Sequence, residues 1–357
     1  MFNSDRLVIA RKRCRLTRKS LAERLNVSPI TITRLEKGEN EPEESTLDGI
    51  AKVLGFPKAF FLGDDLDEPT KESASFRSLT SMTAKERDAA LSAGALAYLL
   101  SDWVGSRFNL PKVRMLDLGY EREPEIAART MREEWGLGER PIKNVIKLLE
   151  SKGVRVFSLA ESTKNVDAFS CWRNGIPYIF LNTFKTAEHS RFDALHELGH
   201  LVMHRHGEAK GREAEREANK FSSCFLMPTS DVISEVPYVT SLSQLIKAKK
   251  RWGVSVSALA YRLHKMEMIS DWQYRTFCIQ INKRFGVSEP EGLEHEKSVV
   301  WEKVFRELWS EGITKKHITN ELCIPENEIE SLLFGLLGAR DETLESYPKP
   351  KLKLVTN

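Results

Sequence analysis

The sequence predicts a multidomain, mainly α protein: an all-α helix-turn-helix domain, then an α+β domain, then a helical C-terminal region. Apolar residues recur at helical spacing in short blocks up to about residue 62. They give way to β-rich runs at 154–159 and 178–181, and return to helical spacing from Arg191 onward. A chain of 357 residues, 41% of them hydrophobic, can bury several such cores.

The first block, 1–65, places Leu7, Val8 and Ile9, then Leu21, Ala22 and Leu25, then Ile30, Ile32 and Leu35, then Leu47, Ile50, Ala51 and Leu54 on successive short helices. Residues 66–75 are rich in Asp, Glu, Pro, Lys and Ser, and read as a linker. The α+β domain, 76–235, opens with helices expected at 84–103, 123–135 and 142–152, the last stopped by Gly153, before the two strands. Region 236–345 is helical. Within it, 242–264 and 304–334 each show a helix, turn, helix outline that suits either packing units or further DNA-binding elements. A loose tail is expected at 346–357.

The net charge of +3 hides a local excess: Arg6, Arg11, Lys12, Arg13, Arg15, Arg18, Lys19, Arg24, Arg34 and Lys37 face only Asp5, Glu23 and Glu36 in residues 1–38. Such a balance suits a phosphate backbone. Apolar runs break well short of a bilayer span, and the N-terminus lacks the apolar core of a signal peptide, so the expected location is cytoplasmic with no membrane partner. Cys14, Cys171, Cys224, Cys278 and Cys323 form no C-x-x-C pair, which argues against a disulfide framework or a cysteine zinc site. Most are expected to be small buried apolar residues.

The segment Phe192-Asp-Ala-Leu-His196-Glu197-Leu198-Gly199-His200-Leu201-Val202-Met203 sets two histidines four apart in a helical pattern, so both imidazoles project from one face. Each ring would need a buried partner there, and a divalent ion shared by both supplies it. On the following helix the inward arc contains Ala214, Ala218, Phe221 and Phe225. Glu217 lies within that arc, with Glu213 at its edge and Glu215 pointing away, so Glu217 is the expected third ligand. Two histidines and a carboxylate leave one position open for water, as a catalytic zinc site requires. Glu197, beside a ligand but not one itself, is the candidate general base for amide hydrolysis. The strand at 178–181 offers an edge for an extended peptide, and Tyr178 either faces the oxyanion or is structural. His204 and His206 are expected to cap the helix, and His189 to be a surface residue.

Taken together, Val166-Asp-Ala-Phe-Ser170, Tyr178-Ile-Phe-Leu-Asn182, Ser190-Arg-Phe-Asp-Ala-Leu-His-Glu-Leu-Gly-His200, Glu215-Arg-Glu-Ala-Asn219, Phe225-Leu-Met-Pro228 and Trp252-Gly-Val-Ser-Val-Ser-Ala-Leu259 resemble the ImmA/IrrE family of metallopeptidases, in the form that carries an Xre-type helix-turn-helix. The resemblance implies a zincin-like core with zinc, or manganese in its place, on His196, His200 and Glu217, and Glu197 as the catalytic residue. It also implies a protein substrate, a helix-turn-helix repressor. Operator DNA is the other expected partner, and a homodimer is compatible. Two other readings stand beside this one: a transcription regulator whose zincin domain is a sensor or scaffold, and a toxin-antitoxin component.

Thr17-Arg-Lys-Ser-Leu-Ala-Glu-Arg-Leu25 and Ser28-Pro-Ile-Thr-Ile-Thr-Arg-Leu-Glu-Lys-Gly38 resemble the two central helices of Xre and phage-repressor domains. Ser28 suits an N-cap and Pro29 the first helical position. The second helix then aims Ser28, Ile30, Thr33 and Arg34 at base edges, while Thr17, Arg18, Lys19 and Lys37 hold phosphates. Ile32 and Leu35 are expected in the core, and the family pattern implies a Glu36–Arg11 bridge.

Overall fold

The computed structural model describes residues 1–70, 83–159, 168–206, 211–286 and 288–337, with the backbone of 75–76. The expected tail at 346–357, residues 71–74 of the expected linker, and Val166 and Asp167 lie outside the described residues.

Helices α1 (Ser4–Arg13), α2 (Arg18–Leu25), α3 (Pro29–Glu36) and α4 (Glu44–Leu54) and a 3-10 turn, Lys58–Leu62, form the N-terminal domain. Side-chain caps start the first three: Asn3 accepts from the amides of Asp5 and Arg6, Thr17 from Ser20, and Ser28 from Thr31. Asn26 ends α2 at φ 53°, in the left-handed conformation that reverses the chain tightly before α3. Leu7, Leu21, Ile32, Leu35, Ile50 and Phe60 fill the core. The Arg6 guanidinium ties the 3-10 turn to α1 by donating to the carbonyls of Phe60 (3.1 Å) and Asp64 (2.6 Å).

This domain is docked on the rest of the chain. Helix α1 packs on α5 (Ala84–Gly105), and Arg13 donates to Glu328 at 2.7 Å and Ser331 at 3.2 Å. The expected linker is also engaged where it is described. Glu68 accepts from Ser92, Asp67 pairs with Arg173, and Pro69 lies so close to Gly94 that an added Cβ would meet its ring at 2.5 Å. Polar composition suggested a spacer, but these carboxylates find partners on α5 and the sheet.

Strands β1 (Ser75–Phe76), β2 (Arg155–Ser158), β3 (Ala168–Arg173) and β4 (Ile176–Leu181) make one sheet in the order β1-β3-β4-β2. β3 and β4 form a hairpin across Asn174 and Gly175, both at positive φ, with Cys171 opposite Tyr178. β2 runs parallel to β4, and β1 antiparallel to β3. One face stacks Phe157, Phe180 and Phe169 towards α5, where Tyr98 meets Cys171. The other face points Ser170 and Trp172 at α8 (Ala187–Met203), Trp172 donating to the Leu201 carbonyl at 3.0 Å. β4 is paired along both edges, so it offers no edge to a peptide, contrary to the expectation from sequence. Behind α8 lies α9 (Arg212–Leu226), and behind α9 lies α6 (Pro124–Glu134), while α7 (Val145–Ser151) flanks β2.

Helices α10 (Thr229–Glu235), α11 (Leu242–Trp252), α12 (Val256–Lys265), α13 (Asp271–Phe285), α14 (Val299–Ser310), α15 (Lys315–Leu322) and α16 (Glu326–Leu333) complete the described chain. The first expected helix pair is α11–α12, turning at Gly253. The second stretch contains three helices where one pair was expected, and α16 is packed against α5 and β2. No helix among the described residues is long and apolar enough to cross a membrane. All five cysteines are unpaired; Cys171 and Cys224 are buried and the other three half-buried.

Candidate metal centre

His196 and His200, one turn apart on α8, bring their Nε2 atoms to 3.1 Å from each other inside the protein. The carboxylate facing them belongs to Glu215 of α9, with Oε2 3.3 Å from His196 Nε2 and Oε1 3.5 Å from His200 Nε2. One ligand atom from each of the three residues lies within 4.8 Å of the others. Burial would raise the Glu215 carboxyl, yet hydrogen bonds from the two imidazoles hold it down at about 2.

Glu217, the expected third ligand, is not in this group; its Oε2 meets His204 Nε2 at 2.9 Å. Helix α9 has no single inward arc. Helix α9 is covered on two sides, so its apolar positions turn partly towards α6, where Phe225 meets Trp135 and the Arg132 guanidinium. The side laid over the imidazoles is a polar stripe, Glu215, Asn219 and Ser222. Asn219 Oδ1 lies 3.2 Å from His196 Nδ1, and Ser222 donates to the Phe192 carbonyl at 2.8 Å. That stripe, at i, i+4 and i+7, was the signal available in the sequence. Close helix approach permits the contact: a Cβ on Gly199 would sit 3.1 Å from the Phe221 ring and 3.3 Å from Ala218 Cα.

Two imidazole nitrogens and a carboxylate converging at this range fit a divalent ion of the zinc type. Glu197 is wholly buried and turns towards the sheet, accepting from Ser170 Oγ at 2.7 Å. Tyr178 lies on the opposite face of the sheet and donates to Ser101 at 3.1 Å, which makes its role structural. His204 does close α8, but its ring also contacts His200, Nδ1 to Nδ1 at 2.9 Å. Burial, then the neighbouring His200, lowers the His204 pKa, and Glu217 opposes them. The exposed His206 pairs with Asp117 at 2.5 Å, and His189 with Asp193 at 3.2 Å.

In the N-terminal domain, Ile32, Leu35 and Glu36 are buried, and Glu36 receives both Arg11 and Arg18. Arg18, expected at phosphate, is thereby engaged within the domain, although half its side chain stays exposed. The Thr17 and Ser28 hydroxyls cap helices, and Thr33 Oγ1 donates to the Pro29 carbonyl at 3.0 Å. Lys37 sits 3.6 Å from Glu39. Lys19, Ile30 and Arg34 are exposed.

Residues 149–264 match the family model of the IrrE N-terminal-like domain, a peptidase family, and residues 7–61 match that of the helix-turn-helix. No curated protein matches the chain. Among solved structures, the apo form of the competence regulator ComR from Streptococcus vestibularis aligns at 12% identity over 87% of this chain and 99% of its own, with a TM-score of 0.18. The chain is thus similar to the helix-turn-helix over residues 7–61 and to the IrrE N-terminal-like domain over residues 149–264.

Proposed function

We propose that the protein is a DNA-binding regulatory zinc metallo-endopeptidase that cleaves a helix-turn-helix repressor. The observation that supports this most is the convergence of His196, His200 and Glu215, beside a buried carboxylate, Glu197, that is not one of them. His196, His200 and Glu215 hold the ion, which when bound supplies Lewis acidity towards water and the peptide carbonyl. Glu197 takes the proton of the attacking water and passes it to the leaving amine. Ser170, donating to Glu197, orients that carboxylate.

The test is Glu197→Gln beside wild type, incubated with helix-turn-helix repressors encoded next to the gene, and read by mass spectrometry and metal content. Wild type should cut and the variant should keep its zinc, while cleavage falls by about two to four orders of magnitude. Undiminished cleavage by the variant would remove Glu197 from the chemistry. Cleavage by neither would favour the sensor or scaffold reading.

Operator DNA is the proposed ligand of α3. Arg34→Ala should weaken specific binding by about 1–3 kcal/mol if this side chain reads a base, with zinc content unchanged. Lys19→Ala should weaken specific and non-specific DNA alike and flatten the salt dependence. Binding isotherms on operator and random duplex at several salt concentrations decide between these roles, and equal losses on both duplexes for Arg34→Ala would reassign it to phosphate.

A further inference from the structure

We propose that the chain covers its own peptide-docking edge: β1, on the linker from the N-terminal domain, occupies the sheet edge beside Glu197, and an extended peptide gains that edge only when the linker lets go. This rests on reading Glu197 as the base of a peptidase and adds how access to that base is controlled. β3 carries Ser170, whose Oγ donates to Glu197 at 2.7 Å. β4 is paired along both edges, and the outer edge of β2 lies two strands away from β3. A peptide laid beside Glu197 by backbone pairing must therefore use the outer edge of β3. That edge is taken, with Ser75 opposite Ser170 and Phe76 opposite Phe169, antiparallel. The linker that supplies β1 is tethered on two sides. Asn3 donates to the Asp65 carboxylate at 2.9 Å and Lys12 pairs with Glu68 at 3.5 Å, which ties it to α1. Arg173, the last residue of β3, donates to Asp67 at 2.8 Å, and Ser92 of α5 donates to Glu68 at 3.2 Å, which ties it to the body that carries the candidate metal centre. The grip on β3 is short, two residues in β1 against six in β3. The Asp67 carboxylate, 61% exposed, adds little to it. β1 is therefore a removable cover. Because the linker is also bound to α1, lifting the N-terminal domain from α5 pulls β1 off the edge, and a ligand that favours the undocked domain opens the site.

The test uses the full chain, with Glu197→Gln as the parent so that nothing is cut while binding is read. Ser75→Pro with Phe76→Pro removes both backbone donors of β1. Asp67→Ala, a milder change, removes only the tie to Arg173. The probe is a fluorescein-labelled peptide with the sequence of residues 66–80, the chain's own linker. Hydrogen exchange read by mass spectrometry should show residues 168–173 exchanging faster in the proline variant than in the parent. The peptide should bind the proline variant at least about tenfold tighter than the parent, for two or more ladder bonds no longer made internally. Asp67→Ala should gain about two- to fivefold. Equal peptide binding by the parent and both variants would overturn the proposal, whatever the exchange shows. If binding rises as expected, but the variants with Glu197 restored cut neither this peptide nor any repressor, the cover stands and the peptidase reading is what fails.

Discussion

Glu215→Ala, purified in a moderate chelator, should emerge essentially without metal, whereas wild type keeps about one zinc per chain. The carboxylate is the single proposed ligand on α9, and the imidazoles facing it hold its pKa down. Structural zinc sites bind with about 10–16 kcal/mol shared over four ligands. Losing one ligand therefore costs roughly 3 kcal/mol, on the order of two decades in affinity. Glu217→Ala must lose less, because its carboxylate reaches the centre only through His204 and His200. Metal analysis and chelator competition on the two variants, side by side, give the order. A larger loss at Glu217 would restore it as the ligand and displace Glu215.

The second large effect is expected at Arg191, which lies on the helix of the two histidines. Its guanidinium donates to the carbonyls of Ile142 (2.7 Å), Trp252 (3.1 Å) and Gly253 (3.0 Å) and pairs with Glu296. Glu296 in turn accepts from the first amides of α7, Val145 at 2.8 Å and Ile146 at 3.0 Å. One side chain thus locks α8, the α11–α12 corner and the start of α7 together. Arg191→Met leaves these carbonyls, that of Lys143 (3.4 Å) and a largely buried carboxylate without their cation, so it should lower stability by about 3–5 kcal/mol. Glu296→Gln, which keeps an acceptor for the amides, should cost less. Urea midpoints and slopes measure both, and a loss below about 1 kcal/mol for Arg191→Met would show that water replaces the guanidinium.

Much of this was legible in the sequence where local chemistry decides. Thr17, Ser28 and Pro29 mark helix starts by capping rules that need no tertiary context, and the two helices of the N-terminal motif begin there. His196 and His200 share a face because spacing alone requires it. Strand β3 escaped notice because four of its residues, Ala168, Phe169, Ser170 and Cys171, are buried on both faces and show no alternation. The apolar arc singled out Glu217 and passed over the polar stripe of Glu215, Asn219 and Ser222, because α9 is covered on two sides and which stripe meets α8 is set by packing. His204 looked like a helix terminus, and it is one. Its second contact depends on where α9 delivers Glu217, which no local rule specifies.

Gly199 gives the centre a gauge. Two of the proposed ligands ride on α8 and the third on α9, so the gap between these helices would also be the bite offered to an ion. Zinc holds nitrogen and oxygen at about 2.0–2.2 Å, and calcium holds its oxygens at about 2.3–2.6 Å. That difference of a few tenths of an ångström matches the retreat that one methyl group at position 199 would demand of Phe221 or Ala218. The jaw width, and with it the size of ion the jaws can grip, is ruled by a residue that contributes no side chain at all.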